Sequence, residues 1–283
     1  MSYSKIKKTY GLVLSEANSG DYDKVITILT ADMGKITAFA KGARRPKSTL
    51  LAPTQVFSFS NFVLYEGSTM YYINSASIVD MFYDLRFSYS KMDYGFKILK
   101  ILKTVSPENY EVYSYLKLGI LALNYLSKTD KEPEFIYSIF ISRLLFEMGY
   151  ALDLKESTDK DKDKKTKKEL KQEEKVKKEQ KEENKFCIYL ENSGTLKEYR
   201  YEKEEEKEKA KKEAINIKDI KKEDEGLLIR KYLLNINIYT SIKYIYTSGL
   251  ENIFNFNLED DVKDEFIYLI KKGFKKHINI SLY

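Results

Sequence analysis

Five short runs of β-branched and aromatic residues occupy the first 80 positions, and turn residues part each run from the next. The runs are residues 10–14, 25–29, 35–40, 56–65 and 70–79, and several alternate apolar with polar side chains. Such alternation puts one face of each strand on a core. The punctuation is Asn18-Ser-Gly-Asp21, Asp32-Met-Gly34, residues 42–53 and Glu66-Gly-Ser68. Five isolated strands would expose edges that pair with other chains. Closure removes those edges, so a small five-stranded barrel of the OB-fold type is expected.

From residue 81 the period changes. Phe96, Leu99, Leu102 and Lys103 sit at helical spacing within residues 91–105. Val112, Leu116, Ile120, Leu123 and Leu126 recur at three and four residues beyond Pro107. Pro133 opens a further helix over residues 134–150, with Phe135, Ile139, Ser142, Leu145 and Phe146 as its stripe and Gly149 as its stop. Residues 229–246 and 261–276 also read as helices, the second acidic at its start and lysine-rich at its end, as the helix dipole favours.

Residues 155–185 hold 13 Lys and 10 Asp plus Glu and almost nothing apolar, and residues 197–225 are similar. Such stretches bury too little surface to offset chain entropy, so a solvated tether is the expectation. Between them, residues 185–201 suggest strand, turn, strand. The expected class is therefore α+β: a five-stranded OB-fold barrel at residues 1–80, then an all-helical domain in two parts, 81–153 and 226–283, interrupted by a charged insertion at 154–225.

Scarce residues exclude much chemistry. The chain has one cysteine, Cys187, one histidine, His277, and no tryptophan. A structural zinc site takes four Cys or His ligands, more than this chain offers. A nucleophile–His arrangement would have to use His277, which lies in a lysine-rich segment and reads more simply as a helix histidine. Neither a GxxxxGK[ST] nor a GxGxxG loop is present. Asp21 and Asp23 are explained by turn chemistry. The expectation is a protein that is not an enzyme, with no catalytic residue, no metal and no cofactor. No apolar run approaches the roughly 20 residues that span a bilayer, and residues 1–10 lack the apolar core of a secretory signal. A cytoplasmic protein without a membrane partner is expected.

The net charge of +6 and pI of about 8.9 permit a nucleic-acid partner. Only six of the 49 basic residues are arginine, at 44, 45, 86, 143, 200 and 230, so two adjacent arginines stand out. They lie in Gly34-Lys-Ile-Thr-Ala-Phe-Ala-Lys-Gly-Ala-Arg-Arg-Pro-Lys-Ser48. A strand ends at Lys41, Gly42 permits a sharp exit, and Arg44, Arg45 and Lys47 follow on a loop stiffened by Pro46. Four cations within seven residues suit phosphate oxygens, with arginine adding bidentate geometry and stacking. Lys35 and Ser48, in the same stretch, complete the candidate set. Tyr22, Tyr65 and Tyr72 are candidate stacking platforms for bases.

At these residues the chain resembles the RecO family. The likeness runs through Tyr10-Gly-Leu-Val-Leu14, Asp23-Lys-Val-Ile-Thr-Ile-Leu-Thr30, residues 34–45, Lys47-Ser48, Phe57, residues 62–66 and Asp84-Leu-Arg86. Residues 144–153 resemble the helix end before the family's zinc module, which charged sequence replaces here. The resemblance implies an OB-fold, a helical domain and a role in recombinational repair. It implies binding of single- and double-stranded DNA through Lys41, Arg44, Arg45 and Lys47, and annealing of complementary strands. It further implies contacts with RecR and with the acidic tail of single-stranded DNA-binding protein, and indirectly the loading of RecA. The alternative is a protein-interaction adaptor whose OB-fold binds partner proteins.

Overall fold

The computed structural model describes residues 6–155, 185–190, 195–200, 215–216 and 231–277, with positions 205, 208, 209 and 212. Most of the two charged runs lies outside the described residues. The chain divides into two compact units, Met1–Glu147 with Gly249–Phe254 and Leu282–Tyr283, and Met148–Ser248 with Asn255–Ser281.

The first unit begins with β1 (Ile6–Ser19), β2 (Asp23–Thr30), β3 (Gly34–Ala40), β4 (Phe59–Glu66) and β5 (Tyr71–Asp80). They close into a barrel in the order β1-β2-β3-β5-β4, the OB-fold expected from the sequence. β1 is longer than its apolar run because it serves two walls. Its first half pairs with β4 and its second half with β2, and a bulge between Val13 and Ser15 bends it at the change of partner. Alternation sends Val13, Ile26, Ile28, Ile36, Ala38, Phe62, Leu64 and Ile73 into the barrel core. Ala43 and Leu50, from the connection between β3 and β4, are buried in the same core.

Three helices follow in this unit: α1 (Tyr89–Val105), α2 (Tyr113–Lys128) and α3 (Pro133–Glu147). Ser88 caps α1 through the Lys91 amide. The buried face of α1 is Gly95, Ile98, Leu99, Ile101 and Leu102, while Phe96 is partly exposed and its ring lies tilted against that of Phe57, centres 4.8 Å apart. α3 buries nearly its whole circumference, Phe135 through Ser142 with Leu144 and Leu145, rather than one stripe. A helix apolar on all sides is a central one, and α1 and α2 both pack on it. Phe254 returns to this unit and stacks on Tyr125 at 4.9 Å.

The second unit contains a five-stranded sheet, order β6-β8-β7-β10-β9, from β6 (Asp153–Lys155), β7 (Lys185–Leu190), β8 (Thr195–Arg200), β9 (Ile215–Asn216) and β10 (Lys231–Leu234). Its described helices are α4 (Ile236–Thr247) and α5 (Asp260–His277). Residues 231–234, expected at the start of a helix, form a strand instead, because they pair antiparallel with β7. The helix starts only after Asn235, whose Oδ1 accepts the Asn237 amide at 2.9 Å. Lys272 of α5 donates to the Tyr232 hydroxyl at 2.6 Å, and Tyr246 of α4 accepts the Leu152 amide at 3.1 Å.

Candidate nucleic-acid interface

The connection after β3 leaves the barrel through Gly42, at φ +66, a left-handed conformation that costs glycine nothing. The Gly42 amide donates to Asp23 Oδ1 at 2.6 Å, so this carboxylate of the first hairpin orders the exit. The Arg44 amide then donates to the Tyr22 carbonyl at 2.9 Å, and Arg44 Nη1 donates to the Gly20 and Asp21 carbonyls at 3.3 and 3.2 Å. Ser48 shapes the following turn: its amide donates to the Arg45 carbonyl at 2.9 Å, and its Oγ accepts the Leu50 amide at 3.2 Å. With Ala43 and Leu50 set into the barrel core, the loop is bolted down from within and tied sideways to the turn between β1 and β2.

On this frame Lys41, Arg44, Arg45 and Lys47 are all exposed. None of the four forms an ion pair with the described residues. Arg45 lies over the ring of Tyr22, 5.4 Å from its centre, and Tyr22 is itself 51% exposed. The result is a fixed cationic ridge with an aromatic edge. Ridges of this kind attract phosphate by long-range field and hold it by short hydrogen bonds.

Lys35 is placed elsewhere. It stands at the opposite end of β3 from Lys41, about 20 Å away at strand rise. Its Nζ donates to the Lys103 carbonyl at 3.0 Å and lies 4.0 Å from Glu108, which ties the barrel to α1. Of the three candidate stacking tyrosines, Tyr22 belongs to the ridge, whereas Tyr65 and Tyr72 are register partners on β4 and β5. Phe39, which sequence reading passed over, sits beside Tyr72 with ring centres 5.8 Å apart. Nothing local marks it, because β3 and β5 become neighbours only through barrel closure.

A separate apolar groove of about 360 Å³ lies where β1 and β4 meet α2, lined by Tyr10, Phe59, Tyr113, Leu116, Ile120 and Leu121. Its ionisable amine, Lys117, pairs with Glu251, which raises the lysine pKa and lowers that of the carboxylate. Among the described residues no three His, Cys, Asp or Glu side chains are grouped to hold a metal ion, and no helix is long and apolar enough to cross a membrane.

Comparison with known proteins bears on the same region. Residues 1–82 match the family described as recombination protein O N terminal. The chain is similar to the DNA repair protein RecO of Acetivibrio thermocellus, 44% identical over 144 residues, which cover 51% of this chain and 57% of that protein. It is similar to the protein of that name from Alkaliphilus metalliredigens, 36% identical over 138 residues, 49% of this chain and 56% of the relative. The like-named protein of Caldicellulosiruptor bescii is 32% identical over 148 residues, 52% and 60% of the two chains. The chain thus spans somewhat over half the length of these curated relatives.

Proposed function

We propose that this chain, whose residues 1–82 match the RecO N-terminal family, acts in DNA repair as a non-catalytic mediator that binds single- and double-stranded DNA. The observation that carries this reading is the ridge of Lys41, Arg44, Arg45 and Lys47, exposed, without an ion pair among the described residues and anchored to the barrel. Cations aimed at phosphate neutralise a backbone without occupying base edges. Two strands held that way can still pair, which is what annealing requires, and binding is tolerant of sequence and weakened by salt. Recombinational repair, contact with RecR and with the acidic tail of single-stranded DNA-binding protein, and help in loading RecA are the wider role proposed from the family likeness.

The adaptor reading rests on the groove beside Tyr10 and Phe59, an apolar surface fitted to a partner's side chains rather than to phosphate. One measurement separates the two. Anisotropy of a labelled single strand of about 30 nucleotides, longer than the roughly 4–16 nucleotides that one OB fold covers, is followed across a salt series. Wild type is compared with Lys41→Gln/Arg45→Gln/Lys47→Gln, which spares the Arg44 tie. Mediator function predicts binding that weakens with salt and falls at least tenfold in the triple variant. Absence of binding by the wild type favours the adaptor, and equal binding by both proteins removes the ridge as the site.

A further inference from the structure

Register around the barrel brings six solvent-facing positions into one transverse row. Ala17 pairs with Val25, Val25 with Phe39, Phe39 with Tyr72, Tyr72 with Tyr65, and Tyr65 with Ile6. On β2, β3, β4 and β5 adjoining positions turn inward: Ile26, Ala38, Ala40, Leu64 and Ile73 are buried in the core. The row therefore belongs to the outer face, and none of its members is buried. Its centre is three aromatic rings on three adjacent strands, β3, β5 and β4, which spans about 10 Å at the usual strand spacing.

Cross-strand aromatic pairs steady a sheet, but that role does not require the rings to stand in solvent. Tyr72 is 47% exposed. Its position is also fixed: a Cβ at Gly67 would lie 2.6 Å from Tyr72 Cε2, so the glycine leaves room for the ring to rest on the turn between β4 and β5. The Phe39 ring meets it at 61°, edge to face. Tyr72 is thus held on two sides without being covered.

The row also lies at the cationic end of the barrel. Phe39 lies on β3 two residues before Lys41, the first exposed cation of the connection that follows the strand. Three other exposed aromatics, Tyr83, Phe87 and Tyr89, follow Asp80, the opposite end of β5 from Tyr72. That end is about 26 Å away at strand rise.

Taking the mediator reading as its premise, we propose that Phe39, Tyr72 and Tyr65 form a stacking platform for unpaired bases of the strand whose phosphates the ridge holds. Tyr22 is not part of it, since Arg45 already lies over its ring. The platform grips base faces and leaves pairing edges open. It selects single strands, because a base within a duplex has no free face. A strand bound this way remains competent to find its complement, and pairing itself strips bases from the rings.

The test compares wild type with Phe39→Leu/Tyr72→Leu, which keeps apolar bulk but removes two π faces. Affinity is measured for an oligothymidine of about 30 nucleotides and for a duplex of like length. The fluorescence of a 2-aminopurine within the single strand reports stacking, and a thermal melt confirms folding. The expected result is about a tenfold loss of single-strand affinity, little change for the duplex, loss of the 2-aminopurine quenching, and a melt like that of wild type. Wild-type affinity in the variant overturns the platform while leaving the mediator reading intact. Equal loss on single strand and duplex in a folded variant also overturns it, because a backbone site would then have been disturbed. Failure of wild type to bind either DNA overturns both readings together.

Discussion

The guanidinium of Arg45 lies over the ring of Tyr22, its central carbon 5.4 Å from the ring centre. The two residues come from different elements, the turn after β1 and the connection after β3. A cation over an exposed ring gains about 0.5–1 kcal/mol. More important for binding, the contact restrains a long side chain that would otherwise lose its freedom on meeting phosphate. Arg45→Lys keeps the charge and loses both the flat stack and the bidentate fork. Single-strand affinity is expected to fall about threefold to tenfold in Arg45→Lys, with Tyr22→Leu reproducing part of the loss. An anisotropy titration in which Arg45→Lys matches wild type would show that only the charge counts.

Arg44 has a different task. Its Nη1 is committed to the Gly20 and Asp21 carbonyls, and its amide to the Tyr22 carbonyl. Removing an exposed side chain with such bonds costs about 1 kcal/mol. Arg44→Ala is therefore expected to lower the melting temperature by about 2–4 °C and to speed amide exchange over residues 41–48. Unchanged exchange together with weakened DNA binding would make Arg44 a direct contact and not a tie.

Much of this was legible in the sequence, and the failures share a cause. The barrel strands were marked by β-branched runs and turn residues, and the ridge by arginines rare in so lysine-rich a chain. Local pattern carries such features. It does not carry pairing between distant segments. Residues 231–234 form a strand only because residues 185–190 lie alongside them. Phe39 meets Tyr72 only because β3 and β5 close the barrel. Lys35 and Lys41 share one stretch of sequence, yet strand geometry sends them to opposite ends of β3, one bonded to the Lys103 carbonyl and one exposed. Arg44 and Arg45, adjacent in sequence, differ because only the first faces the carbonyls of the β1–β2 turn.

The proposed phosphate contacts of the ridge also predict how binding responds to salt. Lys41, Arg45 and Lys47 are exposed and unpaired among the described residues, so each can displace a counterion from a phosphate. On single strands the logarithm of affinity falls by about 0.7 per unit of log salt for each phosphate neutralised. Three contacts give a slope near −2 from the ridge alone. Lys47→Gln by itself should make the slope shallower by about 0.7 and weaken binding similarly for all sequences. A slope that stays the same in Lys47→Gln would place that lysine outside the contact.

The core of the helical part makes stability sensitive to alkali. Tyr137 is buried in α3, and its ring centre lies 5.4 Å from that of Tyr94. Burial, reinforced by the neighbouring Tyr94 and Asp93, raises the Tyr137 hydroxyl far above its ordinary 10.0. Burial does the same to Tyr94, with Glu134 adding to it. A raised pKa means that the folded chain keeps a proton which the unfolded chain releases. Stability from these groups is therefore whole below pH 10 and is lost as pH climbs above it, by up to about 1.4 kcal/mol per pH unit for the buried Tyr137 and by less for Tyr94, which solvent partly screens. Lys131 acts in the opposite sense below its ordinary 10.5, since burial lowers its pKa and the cost of holding its charge eases as pH rises. Thermal melts from pH 8 to about 11.5 are expected to decline beyond pH 10, and more gently in Tyr137→Phe, which has no proton to lose there. An alkaline decline as steep in Tyr137→Phe as in wild type would move its source to another group.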